Sequence, residues 1–114
     1  MDIQRINPRE WNCNAVVFGD LVICSGMVAD DKSVGMKGQT AQVLKKIAAV
    51  LAQAGTNKSR ILSATVYMAD ASLKDDMNEA WMAWVDRANL PTRTAVGAVL
   101  TPGTMVEITV CAAK

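Results

Sequence analysis

No histidine occurs among the 114 residues, so any proton transfer near neutral pH must proceed without the side chain that ordinarily titrates there. This counts against ribonuclease and hydrolase mechanisms built on imidazole. A charge excess is also lacking, because 12 Lys and Arg stand against 11 Asp and Glu for a net charge of +1. The basic residues, from Arg5 to Lys114, are scattered and form no stripe, so neither nucleic acid nor an anionic membrane is expected as a partner. No apolar run approaches the length needed to span a bilayer, and the opening stretch Met1 to Trp11 is polar. The expectation is a soluble, unexported, cytoplasmic protein. The three cysteines, Cys13, Cys24 and Cys111, are odd in number and far apart. With no second ligand close to any of them, no metal and no cofactor are expected. Cys24 and Cys111 read as small apolar strand residues in a reducing compartment, and Cys13 as a loop or strand-edge residue.

What is present reads as one unit over residues 1–114, without linker or low-complexity segment. Ala15 to Phe18 and Leu21 to Ser25 are apolar runs separated by Gly19-Asp20, a hairpin signal. Met27 to Met36, rich in Asp, Gly and Ser, reads as a loop, and the glycine-containing stretch Val34-Gly35-Met36-Lys37-Gly38 matches no nucleotide motif. From Gln39 to Ala54, Val43, Leu44, Ile47, Val50, Leu51 and Ala54 recur at helical spacing, and Gly55 is placed to end that helix in a left-handed turn. Ile61 to Ala69 alternates, with Leu62, Ala64, Val66 and Met68 on one face and Ser63, Thr65 and Tyr67 on the other. Ser72 to Asp75 has the spacing of a helix start. Met77, Ala80, Trp81, Trp84 and Ala88 follow on one stripe, where the tryptophans read as packing residues. Two final strands, Thr94 to Leu100 and Met105 to Ala112, are joined by a turn at Thr101-Pro102-Gly103-Thr104.

The predicted order is hairpin, helix, strand, helix, hairpin, with a short extra strand near Ile3. Two helices can cover only one face of the sheet they return to. The other face, carrying mildly polar residues such as Thr65, Tyr67, Thr109 and Cys111, is expected to meet other subunits in a homo-oligomer.

Arg93 and Glu107 carry the functional signal. The segments Pro91-Thr92-Arg93-Thr94-Ala95-Val96 and Val106-Glu107-Ile108 present opposite charges from strands, which points to a carboxylate-binding site with a water nearby. Taken alone, Arg93 also fits a surface ion pair. Glu107, alternating with Val106 and Ile108, fits a solvated strand face or a structural pair with Arg93.

Those segments, together with Ile23-Cys24-Ser25-Gly26, Asn57-Lys58-Ser59-Arg60-Ile61 and Tyr67-Met68-Ala69-Asp70, resemble the reactive intermediate deaminase family, also called RidA or YjgF-like. The resemblance covers nearly the whole chain. It implies a chorismate-mutase-like α+β fold, related to the ferredoxin-like one, with a mixed sheet, two helices on one face, and a homotrimer whose sheets form a central barrel. It also implies hydrolysis of 2-imino acids to 2-keto acids and ammonia in clefts between subunits. Carried over by position, Arg93 matches the arginine that binds the substrate carboxylate and Glu107 the glutamate associated with the attacking water. Ser25 and Gly26 match the pocket wall after the first hairpin, and Asn78 matches an asparagine early in the second helix. Two positions depart: Ala95 stands where many members have cysteine, and a region containing Trp11, one residue out of register, replaces a pocket tyrosine.

The chemistry is consistent with these residue types. A guanidinium grips a carboxylate through two parallel hydrogen bonds and so fixes orientation as well as place. An imine carbon is already electrophilic, so a positioned water and one carboxylate that accepts and returns a proton suffice. The main-chain groups around Ala95 remain available to hold substrate nitrogen or water. The competing readings are a non-catalytic trimeric binding protein for small carboxylic acids and, less favoured, an endoribonuclease or translation inhibitor.

Overall fold

The computed structural model describes every residue, Met1–Lys114. Seven strands, β1 (Ile3–Ile6), β2 (Ala15–Phe18), β3 (Leu21–Cys24), β4 (Met27–Val28), β5 (Ile61–Met68), β6 (Thr92–Gly97) and β7 (Val106–Ala113), form one sheet with helices α1 (Met36–Gln53) and α2 (Lys74–Trp84). The sheet order is β1-β2-β3-β7-β5-β6, with β4 also pairing on β7. Only β5 and β6 run parallel.

The first hairpin and the short strand at Ile3 form as the sequence indicates. Gly19 adopts φ +58 at the turn. The final hairpin does not form. β6 and β7 lie on opposite sides of β5, and the crossover through α2 sets β6 parallel to it. Two apolar runs with a turn between them look like a hairpin from sequence, but the preceding helix has already delivered β6 to the far edge. The strand there is Thr92–Gly97, so Ala98, Val99 and Leu100 lie outside the sheet. The Thr101-to-Thr104 turn is present, closed by the Thr104 amide on the Thr101 carbonyl at 3.0 Å, and it leads into β7.

Four smaller departures have local causes. Met27 and Val28, read as loop, extend the sheet opposite Ile108 and Glu107. Helix α1 starts at Met36, three residues before Gln39, which is fully buried in its first turn. Its amide nitrogen donates to the Val34 and Gly103 carbonyls at 3.0 Å each, and its oxygen accepts from the Met105 amide at 2.9 Å. A register shift between Ile61 and Ser63 turns Leu62 out to 51% exposure while Ile61 is buried. Finally, Asp70 provides the start before α2: its carboxylate accepts from the Ser72 amide and hydroxyl, and a short 3-10 turn, Ala71–Leu73, precedes the helix. The helix stops at Trp84, so Ala88 is exposed beyond it.

Helix α1 ends as its glycine indicates. Gly55 has φ +84, and the amides of Gly55 and Thr56 bond the carbonyls of Ala52 and Leu51 at 3.1 and 2.9 Å, a left-handed cap of the Schellman type. The core lies between sheet and helices. Val43, Leu44, Ile47, Leu51 and Met77 from the helices pack with Val22, Ala64, Val66, Met68, Val106, Ile108 and Val110 from the strands. Both helices cover this one face. The other face carries Val16, Ile23, Thr65, Tyr67, Glu107, Thr109 and Cys111, with Ile3, Phe18, Leu21 and Ile23 among the exposed large apolar side chains. No helix is long and apolar enough to cross a membrane.

Candidate functional site

Directly paired residues on neighbouring strands project to the same face of a sheet. Arg93 pairs with buried Ala64, and Ala95 with buried Val66. Both therefore project toward the helices. Glu107 pairs with Tyr67 on one side and Val28 on the other, between buried Val106 and Ile108. It projects from the uncovered face. Arg93 and Glu107 thus stand on opposite faces of the sheet, and a structural pair between them within one chain is excluded.

The Arg93 side chain reaches along the edge of the sheet onto α2. Its guanidinium carbon lies 5.2 Å from the centre of the Trp81 ring, and Nη1 is 3.8 Å from the sulfur of Met77. No carboxylate pairs with it; the ion pairs of the chain are Lys37 with Glu79 and Lys46 with Asp30. Partial burial lowers its pKa from the ordinary arginine value, by desolvation alone, yet the group stays charged at any physiological pH. A cleft of about 370 Å³ opens beside it, lined by Asn78, Trp81, Met82, Leu90, Pro91 and Arg93. Asn78 and Arg93 are therefore brought together, one turn of helix meeting the start of a strand.

The Glu107 cleft, about 390 Å³, is lined by Gly26, Tyr67, Ala98, Val99, Leu100, Glu107 and Thr109. Between β3 and β4 the chain leaves the sheet at Ser25 and Gly26, and the Thr109 hydroxyl donates to the Cys24 carbonyl across the gap at 2.7 Å. Gly26 comes so close to Glu107 that a β-carbon there would overlap the carboxylate oxygen. Glycine is needed here for space, since only its missing side chain lets the carboxylate lie against the backbone.

The remaining sequence-selected residues are dispersed. Ser25 lines neither cleft; its hydroxyl donates to the Cys13 carbonyl at 2.5 Å and its amide to the Asn14 carbonyl at 2.9 Å. It ties the loop before β2 to the end of β3. Trp11, in that loop, is 84% exposed and lines neither cleft. Ala95 packs partly buried against the core two residues beyond Arg93. Three further contributors carry no site signal in the sequence. Tyr67, opposite Glu107, reads in sequence as an outward residue of an alternating strand and as part of a family-like segment, with no site role attached. Trp81 was legible only as one of a packing stripe. The Val99 side chain, fully exposed beside Glu107, gave no signal because its segment looked like strand.

Comparison with known proteins agrees with this architecture. The family described as Endoribonuclease L-PSP matches residues 3–114. A RutC family protein of Haemophilus ducreyi is 39% identical over 112 residues, covering 97% of this chain and 96% of its own. The RutC family protein YoaB of Escherichia coli is 37% identical over 114 residues, covering 99% of each. Among solved structures, a YjgF family member from Neisseria meningitidis superposes with a TM-score of 0.97 at 36% identity, over 100% of this chain and 96% of that one. A member of the Rid family from Yersinia pestis gives a TM-score of 0.90 at 27% identity, over 99% and 100%. The α+β fold, the full-length match and the close relatives together establish that the chain belongs to the RutC/YjgF/Rid family, whose family model bears the description Endoribonuclease L-PSP.

Proposed function

We propose that the protein hydrolyses reactive imines and enamines of 2-imino acids to 2-keto acids and ammonia, in clefts formed where one chain's Arg93 faces a neighbouring chain's Glu107. The observation that carries this reading is the pair itself. Arg93 and Glu107 bear opposite charges, neither has an ionic partner within the chain, and they project from opposite faces of the sheet. A half-buried cation without a counter-ion is poised for an anionic ligand. A second copy, docked by its exposed apolar sheet face, is what can bring a carboxylate side chain to that ligand. A homotrimer with the sheets turned inward satisfies this arrangement for every chain at once, because a head-to-tail contact closes into a ring.

In this reading the Arg93 fork holds the substrate carboxylate and Asn78 lies beside it. Glu107 accepts a proton from water as the water oxygen bonds to the carbon of the N-protonated imine, and the C=N electron pair moves to nitrogen. Glu107 then returns that proton to the amino nitrogen of the resulting amino alcohol, and as the hydroxyl proton passes back to the carboxylate the C–N bond breaks, leaving a C=O group and ammonia. Holding the reactants supplies much of the barrier reduction, and Glu107 supplies the proton transfer.

The test is ammonia and keto-acid release from imino acids generated in situ by an amino-acid oxidase, for wild type, Arg93→Ala and Glu107→Ala. Acceleration over the spontaneous rate, falling by on the order of a hundredfold in Glu107→Ala as expected for a lost acid-base group, is the expected result. Both variants should lose it. No acceleration by the wild type, with keto-acid binding that still requires Arg93, would move the protein to the class of carboxylic-acid binders.

A further inference from the structure

We infer that Trp81 is a positioning residue for the carboxylate site, its indole face holding the Arg93 guanidinium in the orientation from which it meets an anion. This rests on the carboxylate-binding reading of Arg93 and deepens it. An arginine at the start of an edge strand has four rotatable side-chain bonds and, unpaired, would range through solvent at a cost to any ligand that must immobilise it. Here it does not range. The guanidinium carbon stands 5.2 Å from the centre of the Trp81 ring, inside the range of cation–π attraction. The Met77 sulfur takes up one N–H direction at 3.8 Å. Met77 and Trp81 both come from one face of α2, at positions four apart that a helix stacks together.

Trp81 is itself held. It is buried, and its ring centre lies 6.1 Å from that of Trp84 at 53°. Trp84 in turn receives Lys58, whose ammonium donates to the Trp84 carbonyl at 2.6 Å and sits 5.4 Å from the ring centre. The order Lys58, Trp84, Trp81, Arg93 thus runs from the turn before β5 to the binding cleft. A neutral, polarisable shelf is suited to the task in a way a carboxylate would not be. It holds the cation by its flat face without neutralising it, leaving N–H groups at the guanidinium rim for the ligand's oxygens. Packing alone would ask only for an apolar side chain of similar volume at position 81, whereas holding a cation asks for an aromatic face.

Pyruvate is the probe, being a 2-keto acid that the proposed reaction cannot consume, and its binding is followed by calorimetry. Trp81→Leu should weaken binding about tenfold while Trp81→Phe, which keeps a ring, loses no more than about threefold. Urea midpoints for both variants separate this from a general loss of fold. An independent readout is fluorine NMR of fluorotryptophan-labelled wild type, in which the resonance missing from Trp81→Phe should move on pyruvate addition with the calorimetric affinity. The inference is overturned if Trp81→Leu, still folded, binds within twofold of wild type, or if the Trp81 resonance stays fixed while Arg93-dependent binding proceeds. Absence of any Arg93-dependent pyruvate binding by the wild type would instead remove the carboxylate reading itself, and this role with it.

Discussion

Gly26 shows how closely a single residue can control the chemistry of another. Its α-carbon is the wall against which the Glu107 carboxylate lies, and a β-carbon there would occupy the carboxylate's place. Gly26→Ala should therefore displace the Glu107 side chain while leaving the backbone fold intact, since the position needs no left-handed conformation. Displacements of about 1 Å at a catalytic group can cost on the order of a hundredfold. The expected outcome is a fall in kcat for imino-acid hydrolysis of at least about tenfold with little change in pyruvate affinity, because Arg93 is untouched. A variant that hydrolyses at the wild-type rate would show that the Glu107 carboxylate need not lie where it does. Charge made Arg93 and Glu107 visible as candidates in the sequence, because charge is legible one letter at a time, whereas Gly26 came only with the family resemblance. What Ser25 does was not legible. Its bond to the Cys13 carbonyl depends on two strands meeting, and nothing local distinguishes a serine that ties a loop from one that holds a ligand.

At the scale of elements, Asp70 caps the 3-10 turn that leads into α2, the helix that carries Trp81 and Asn78. Its carboxylate accepts from the Ser72 amide at 3.0 Å and the Ser72 hydroxyl at 2.6 Å, and these bonds, the hydroxyl's first, hold its pKa below the ordinary value of 3.8. A carboxyl whose folded pKa is depressed adds stability that is present above its unfolded pKa and is lost as pH falls through the folded value. Asp70→Ala should lower the melting temperature at about pH 6 and reduce the further loss seen on going to about pH 3. Asp70→Asn, which retains an acceptor, should keep most of the stability but lose its share of the pH dependence. Thermal melts of the three proteins at both pH values decide it; parallel losses for Ala and Asn at pH 6 would show that the cap does not depend on an acceptor. The helices and most strands could be read from periodicity, because each reports one buried stripe or face. The strand partners could not be read. The turn at Thr101 to Thr104 has ordinary hairpin chemistry, yet β6 and β7 flank β5, because pairing is settled by where the crossover through α2 deposits β6. That single difference decides the site, since it puts Arg93 on the edge strand against α2, with β5 between it and the strand of Glu107.

For the whole molecule, the opposed directions of Arg93 and Glu107 become a statement about assembly. One face of the sheet is closed by helices and the other leaves Ile3, Phe18, Leu21 and Ile23 exposed, a run of apolar side chains of the kind that marks an interface. If each cleft takes Arg93 from one chain and Glu107 from the next, two inactive variants can repair each other. In mixed trimers of Arg93→Ala and Glu107→Ala chains, refolded together in equal amounts, about one cleft in four joins an intact Arg93 to an intact Glu107. Imino-acid hydrolysis should then return to about a quarter of the wild-type rate, while either variant refolded alone stays inactive and light scattering gives the trimer mass for all. The same mixing experiment discriminates against a site built within one chain. There every cleft in every mixture would lack one of the two residues, and no activity could return however the chains were combined. Recovery would therefore tie the two faces of the sheet to a single reaction, whereas mixed trimers that form and remain inactive would show that Arg93 and Glu107 of neighbouring chains do not share a substrate.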